Sequence, residues 1–378
     1  MEELFIEINN RINSQQMKLA HVSNLSDVSV SSISRFLNQT SRELEIDAVE
    51  RILKVVAPDL RARFMKRYLL KVKRPKNLRL ALEFASTHRW LNIFKNLIDK
   101  CLEDRNPEVS EAASIYLLLY KWQTDEISAN ELYNVTRYKK ALFQEGKNLL
   151  RILETYALCE LKHFDFMVTS IGDTEKSIDM MDEGYFKQTY KARISEIMMI
   201  INVRYYTNPS KVREYGKVIL NSPVSSVAKG NVFFLMGQSY LFTDIDKLNK
   251  YYDKAIVIFE KFNRISSLES VKMNKQFANI MWKKDKVFHF TSTESELLYS
   301  YKNNNQEHIN KILNTIDPLQ SEPAIKYLIG LIKKDRKLLL DSLISYKSNG
   351  DRFHAELPKK ALIELGEEEY LLNLILDK

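Results

Sequence analysis

His21–Asn38, HVSNLSDVSVSSISRFLN, is the stretch of this 378-residue chain whose residue order implies one specific arrangement. Leu19, Val22 and Leu25 recur at three-residue spacing, as the buried face of a short helix requires, until Ser26-Asp27 interrupts the pattern. Val28 follows. Ser29 is then placed to cap a second helix, its hydroxyl within reach of a backbone N–H two or three residues on. Ile33, Phe36 and Leu37 return at helical spacing and point inward. The pattern predicts a helix-turn-helix with Ser29 at the tip of the second helix and Val30, Ser31, Ser34, Arg35 and Asn38 outward. In such a unit the second helix enters the DNA major groove by its N-terminal end, while the first crosses the phosphate backbone. The plainer alternative is a serine-rich helical hairpin without a ligand.

The composition extends this helical reading to the whole chain. Only 9 Gly and 8 Pro are present, about a third of average usage for glycine and under half for proline. No sustained alternation of polar and apolar residues occurs, so the chain is expected to be all-α. Two distant cysteines, Cys101 and Cys159, offer neither a disulfide framework nor metal-ligand spacing. No apolar run approaches the ~18 residues that span a bilayer, and the N-terminus lacks a signal-peptide core. A cytoplasmic protein with no membrane contact is expected.

The net charge of +8 is unevenly placed: residues 1–80 hold 15 Lys/Arg against 9 Asp/Glu, a net of +6. After Asp59 come Arg61, Arg63, Lys66, Arg67, Lys71, Lys73, Arg74, Lys76 and Arg79 with no acid among them. Such a stripe can follow phosphates and release counterions, and Arg61, Arg63, Lys66 and Arg67 join the candidate DNA contacts. A solvated helix face has the same sequence signature.

Taken in order, residues 3–13 form a first helix with Leu4, Phe5, Ile8 and Ile12 on one face. Glu45 to Val56 forms another, closed by Ala57-Pro58. Arg74-Pro75 marks a break, which places a DNA-binding domain at 1–74. Beyond it amphipathic helices alternate with short polar turns, the sequence form of an α-solenoid, and 75–365 is assigned to it. The clearest repeat is Ser226–Phe262: Met236-Gly237-Gln238-Ser239-Tyr240 and Tyr252-x-x-Ala255-x-x-x-Phe259 resemble the two helices of a tetratricopeptide repeat. Weaker copies are traced at Ala141–Phe166, Tyr185–Val218, Ser267–Trp282 and Ile325–Tyr346. The last segment, 366–378, is apolar enough to need covering, and Leu371, Leu372 and Ile375 are candidates for pairing two subunits into a homodimer.

The helix-turn-helix resembles the DNA-reading motif of the lac-repressor family, with Asp27 where that family has glycine. Over nearly its whole length the chain is similar to the AimR-type arbitrium receptors of phages. The shared features, in order, are Ala57-Pro58-Asp59, Ala81 to Ala85, Tyr190 to Ile194, Gly237 to Ser239, and Asp351 to Phe353 with Leu357-Pro358. The resemblance implies a dimeric, DNA-binding transcription regulator that governs the choice between lysis and lysogeny, with a short signalling peptide bound in the repeat domain. Carried over by position, the pocket falls on Ile200 and Arg204 for two asparagines, Val227 near Lys229 for an arginine, Gln238 for an asparagine, and Tyr299 for a glutamine. Asp351 alone is kept. The expected peptide contacts are thus Asp351, Gln238, Lys229, Arg204 and Tyr299, for an altered peptide or none, because valine cannot replace a five-donor guanidinium.

No nucleophile elbow, phosphate-cradling loop or zinc spacing occurs, and the six histidines are scattered, His289 beside Phe288 and Phe290 being the nearest to a cluster. Neither an enzyme, a metal site nor a cofactor is expected. The rival function is a tetratricopeptide-like scaffold that sequesters a partner protein without reading DNA.

Overall fold

With little glycine to break it, the chain folds into helices separated by turns that other residues must supply. The computed structural model describes residues 2–38, 43–282, 289–317 and 321–377; Phe288, singled out above, lies outside them, as does the side chain of Leu4. Those residues form 22 α-helices and no strand. Left-handed backbone at several turns falls on Asp27, Asn263, Asn304 and Lys334, residues that take a place glycine would fill at lower cost. Among the described residues no helix is long and apolar enough to cross a membrane. Two compact units are present, Met1–Ala157 with Gly172–Tyr190, and Leu158–Ile171 with Lys191–Lys378. The boundary expected near residue 74 falls inside the first unit.

The first unit opens with α1 (Glu2–Ser14), α2 (Leu19–Ser26), α3 (Val30–Leu37), α4 (Ile46–Val56) and α5 (Arg61–Lys71). Aromatic rings join three of them. Phe5 of α1 lies 5.1 Å from Phe36 of α3 and 5.2 Å from Phe64 of α5, edge to face, and Phe36 and Phe64 are 5.9 Å apart. Tyr68 completes the cluster and donates its hydroxyl to the Leu44 carbonyl at 2.6 Å. Such edge-to-face pairs contribute beyond their buried area, so the back of α3 is held by aromatic packing as well as by Ile33. Pro75 stands at the first position of the next helix, Pro75–Thr87, where its missing N–H costs nothing.

In the second unit the Ser226–Gln238 and Ile245–Lys261 helices form the tetratricopeptide-like hairpin. Tyr252, Ala255 and Phe259 are buried. A Cβ on Gly237 would fall on the ring of Tyr252, which is why the repeat needs glycine there. Tyr185–Val218 and Ile325–Tyr346 each span most of two helices, Tyr185–Arg204 with Pro209–Asn221 and Pro323–Lys333 with Arg336–Ser348. Ser267–Trp282, by contrast, is one helix, Ile265–Met281, and not a repeat. The expected Ala141–Phe166 copy covers Gln144–Glu160 and only the start of the next helix, Phe164–Asp179.

A contact far apart in sequence draws the ends of this unit together. Phe164 packs where a side chain on Gly350 (φ +67°) would sit, Tyr205 stacks on Phe164 at 5.3 Å, and the Arg352 guanidinium lies 4.0 Å above Tyr205. The terminal helix Glu369–Asp377 buries Leu372 and Leu376 among Leu339, Leu343 and Leu362, with Ile375 partly covered by the same cluster. Two of the three expected dimer residues therefore serve the chain's own core. The face left to solvent is Tyr370 (68% exposed), Leu371 (50%) and Leu374 (42%).

Candidate DNA interface and repeat-domain pocket

Two turns of helix on either side of Asp27 set the geometry of the N-terminal site. Asp27 adopts φ 51°, ψ 43° and ends α2. The turn is fixed from outside by Arg51 of α4, whose Nη1 donates to the carbonyls of Ser26 (3.0 Å) and Asp27 (2.9 Å) and pairs with the Asp27 carboxylate (3.3 Å). Leu25, expected inward, is 60% exposed. The helical repeat of 3.6 residues carries the buried face from Val22 to Ser26 instead, and the Ser26 hydroxyl donates to the Val22 carbonyl at 2.7 Å.

Ser29 caps α3 by accepting from the Ser32 N–H at 3.2 Å. Ile33, Phe36 and Leu37 are buried, while Val30, Ser31, Arg35 and Asn38 are exposed and Ser34 is half-buried. Arg35 Nε donates to the Ser31 carbonyl at 3.2 Å, which lays the guanidinium along the exposed ridge. The six α3 candidates thus share one accessible end and ridge.

The basic stripe divides. Arg61 donates to Glu50 at 3.0 Å, and the Glu50 side chain is only 4% exposed and also paired with Lys54 at 3.3 Å. Arg79 is held between Glu108 (2.5 Å) and Glu145 (3.1 Å), and Lys76 pairs with Glu45 at 2.7 Å. Lys66 lies 5.3 Å over the ring of Trp90. Arg61 is therefore better placed to neutralise Glu50 than to meet a phosphate. Arg63, Arg67 and Lys71, four residues apart on α5, are exposed together, the spacing that puts side chains on one face.

The repeat-domain candidates also separate. Asp351 caps the Arg352–Glu364 helix by accepting from the His354 N–H at 3.1 Å, and its carboxylate meets His354 Nδ1 at 2.7 Å. Gln238 Nε2 lies 3.3 Å from His354 Nε2. The distances fit an imidazole that gives its Nδ1 proton to Asp351 and accepts from Gln238. Burial works to raise the Asp351 carboxyl, but the hydrogen bonds from His354, with the charge of Arg204, hold it below the usual carboxylate range. Asp351, Gln238 and Arg204 are thus brought to one locality. Lys229 instead donates to the Leu220 carbonyl at 2.8 Å, and Tyr299 packs 5.4 Å from Phe290.

His354 escaped the sequence reading because Gln238 is 116 residues away; only the Asp351-x-x-His354 spacing, one helical turn, hinted at it. Ring contacts run on from it through Phe353 (5.2 Å) to Phe242 (5.0 Å). Phe242 borders a cleft of about 260 Å³ lined also by Trp282, Tyr327, Leu357 and Lys360. On the neighbouring hairpin Tyr240 and Tyr251 stack at 5.9 Å, with Arg213 4.7 Å from Tyr240 and Lys254 5.2 Å from Phe233. Among the described residues no group of three His, Cys, Asp or Glu is placed to hold a metal ion. Burial pushes both cysteine thiols up to about 11, so neither is a ready nucleophile.

Residues 61–364 match a family described as AimR transcriptional regulator-like. The AimR transcriptional regulator of Bacillus phage phi3T is 23% identical over 358 residues, covering 92% of this chain and 93% of that protein. Its counterpart in Bacillus phage SPbeta is 25% identical over 359 residues, 90% of each. A solved structure of phAimR in selenomethionine form, 21% identical, superposes with a TM-score of 0.80 over 99% of this chain and 100% of that one. A structure of phAimR with a ligand, also 21% identical, gives 0.70 over 86% and 99%. At that identity the two structures establish a shared all-helical fold.

Proposed function

Because this chain belongs to the AimR transcriptional regulator-like family, we propose that it regulates transcription by reading duplex DNA with the exposed end and ridge of α3. The single observation that carries this reading is the turn itself: Arg51 locks Asp27 in a left-handed conformation and so presents α3 as a fixed, solvent-facing helix. Residues 1–74 act as the DNA-reading module, with Arg63, Arg67 and Lys71 supplying phosphate contacts. The family supports a role in the choice between lysis and lysogeny, exercised in the cytoplasm of a bacterial host.

Control by a peptide is the second part of the reading. Gln238, Arg204 and the Asp351–His354 pair supply donors and acceptors suited to a peptide backbone, and Val227 in the place where the resemblance implies an arginine supports an altered peptide. Two copies pair through Tyr370, Leu371 and Leu374, a face whose exposure suits burial in a homodimer.

The test is affinity for DNA fragments flanking the protein's own coding sequence, wild type against Arg35→Ala, across a salt series. Tight, salt-steep binding weakened roughly tenfold by the substitution is expected, in keeping with ~1–3 kcal/mol for a base contact. Weak binding indifferent to Arg35 would leave the repeats as a protein-binding scaffold. Calorimetric titration of short synthetic peptides into wild type and Asp351→Ala tests the pocket, and unchanged binding removes Asp351 from it. Sedimentation of Leu371→Glu tests the dimer.

A further inference from the structure

The tip of α3 is chemically lopsided. Ser29 Oγ lies 2.8 Å from Ser32 Oγ and 3.2 Å from Ser31 Oγ, and Asn38 Nδ2 donates to Ser34 Oγ at 3.4 Å, so the hydroxyls along this helix already answer one another. Between them stands Val30, the first residue of the helix, 43% exposed. Side chains in a helix lean toward its N-terminus, so the isopropyl group of Val30 leads at the end that enters the groove. Valine has no hydrogen-bonding atom, and water gains nothing from its exposure.

In the major groove every base pair presents donors and acceptors, and only thymine adds an apolar group, its C5 methyl. We infer that Val30 is a specificity-determining residue that selects thymine in each half-site through contact with that methyl group. The inference rests on the DNA-reading function proposed above and deepens it: the neutral serines tolerate several base edges, whereas a buried isopropyl–methyl contact favours one base. An A, G or C at that position sets polar edge atoms against Val30 and leaves them without water or partner.

Uracil separates this contact from every other, because it keeps the pairing and both groove edges of thymine and lacks only the methyl. The full-length protein is used to select its tightest duplex from a randomised pool, and each thymine of that duplex is then replaced in turn by uracil. For wild type one thymine per half-site is expected to be sensitive, with affinity about fourfold weaker, the worth of one buried methyl group. Val30→Ile should keep that sensitivity and Val30→Ala should lose it, both variants matching wild type in helicity and thermal unfolding. Uniform indifference to uracil, or a sensitive thymine that stays equally sensitive in Val30→Ala, overturns the assignment. A pool that yields no preferred duplex overturns the DNA-reading function and this inference with it.

Discussion

Nη1 of Arg51 lies 2.9 Å from the carbonyl oxygen of Asp27, across 24 residues of sequence, and the same nitrogen reaches Ser26. A positive φ on a non-glycine residue is held here by a donor from another helix rather than by local preference. Arg51→Ala should therefore destabilise the protein by about 1–2 kcal/mol, the range for a hydrogen bond from a charged donor at a partly exposed site. Asp27→Gly should stay within about 1 kcal/mol of wild type, because glycine relieves the backbone while losing only an exposed ion pair. Urea unfolding of the two variants checks the contrast. Equal losses would mean that the carboxylate, and not the two carbonyls, anchors the turn.

On the proposed function, the divided basic stripe separates stability from DNA affinity. Arg67→Ala should leave unfolding unchanged and lower the slope of log affinity against log salt by about one. Arg61→Ala should do the reverse, costing roughly 1–2 kcal/mol because buried Glu50 would retain only Lys54. A salt titration and a denaturant titration of each variant decide the matter. A lowered salt slope in Arg61→Ala would return that residue to the interface.

Gly237 admits no side chain without moving Tyr252, which is only 1% exposed. Gly237→Ala is expected to lower stability by about 1–3 kcal/mol through overpacking, despite alanine's better helix propensity. Thermal unfolding measures it. A rise in melting temperature would show that the hairpin yields.

His88 supplies a pH dependence. Its ring lies flat on Phe84 at 4.1 Å and its Nδ1 contacts the Phe84 carbonyl at 2.9 Å. Burial, and then the charges of Arg61 and Lys54 against the helping Phe84 carbonyl, depress its pKa to about 4. In the unfolded chain the imidazole takes up a proton near pH 6.5, so the unfolded state binds more protons below that value. Stability contributed by the neutral ring is complete above about pH 6.5 and lost as the pH falls toward 4, on the order of 3 kcal/mol. His88→Phe should flatten the stability profile between pH 7 and 4.5 in denaturant titrations. An unchanged slope would assign that dependence to the carboxylates.

Local patterns were legible in the sequence and long-range partnerships were not. The α3 cap and its inward Ile33, Phe36 and Leu37 depend on neighbours within one helix, which periodicity reports. Leu25 was misplaced because a strict three-residue spacing drifts off a 3.6-residue helix, and the true inward partner, Ser26, is polar. Arg61 and Arg79 looked like phosphate contacts because Glu50, Glu108 and Glu145 arrive from other helices. Leu372 and Ile375 read as a free apolar face until the preceding helices covered them. The turn was recognised from Asp27, but its support by Arg51 carries no sequence signal beyond a charged residue on an amphipathic helix.

If the second unit binds a peptide as proposed, the pairing of Asp351 with His354 makes that recognition an exchange. Any cation arriving from solution meets a carboxylate that is already engaged, at 2.7 Å, by a ring that in turn leans on Gln238. To bind there it must outcompete an imidazole that is tethered only three residues away and never diffuses off, so modest contacts fail while a well-matched group succeeds and releases Gln238 as well. A peptide site so built would filter its visitors by rivalry, with a component of the protein itself as the standing competitor.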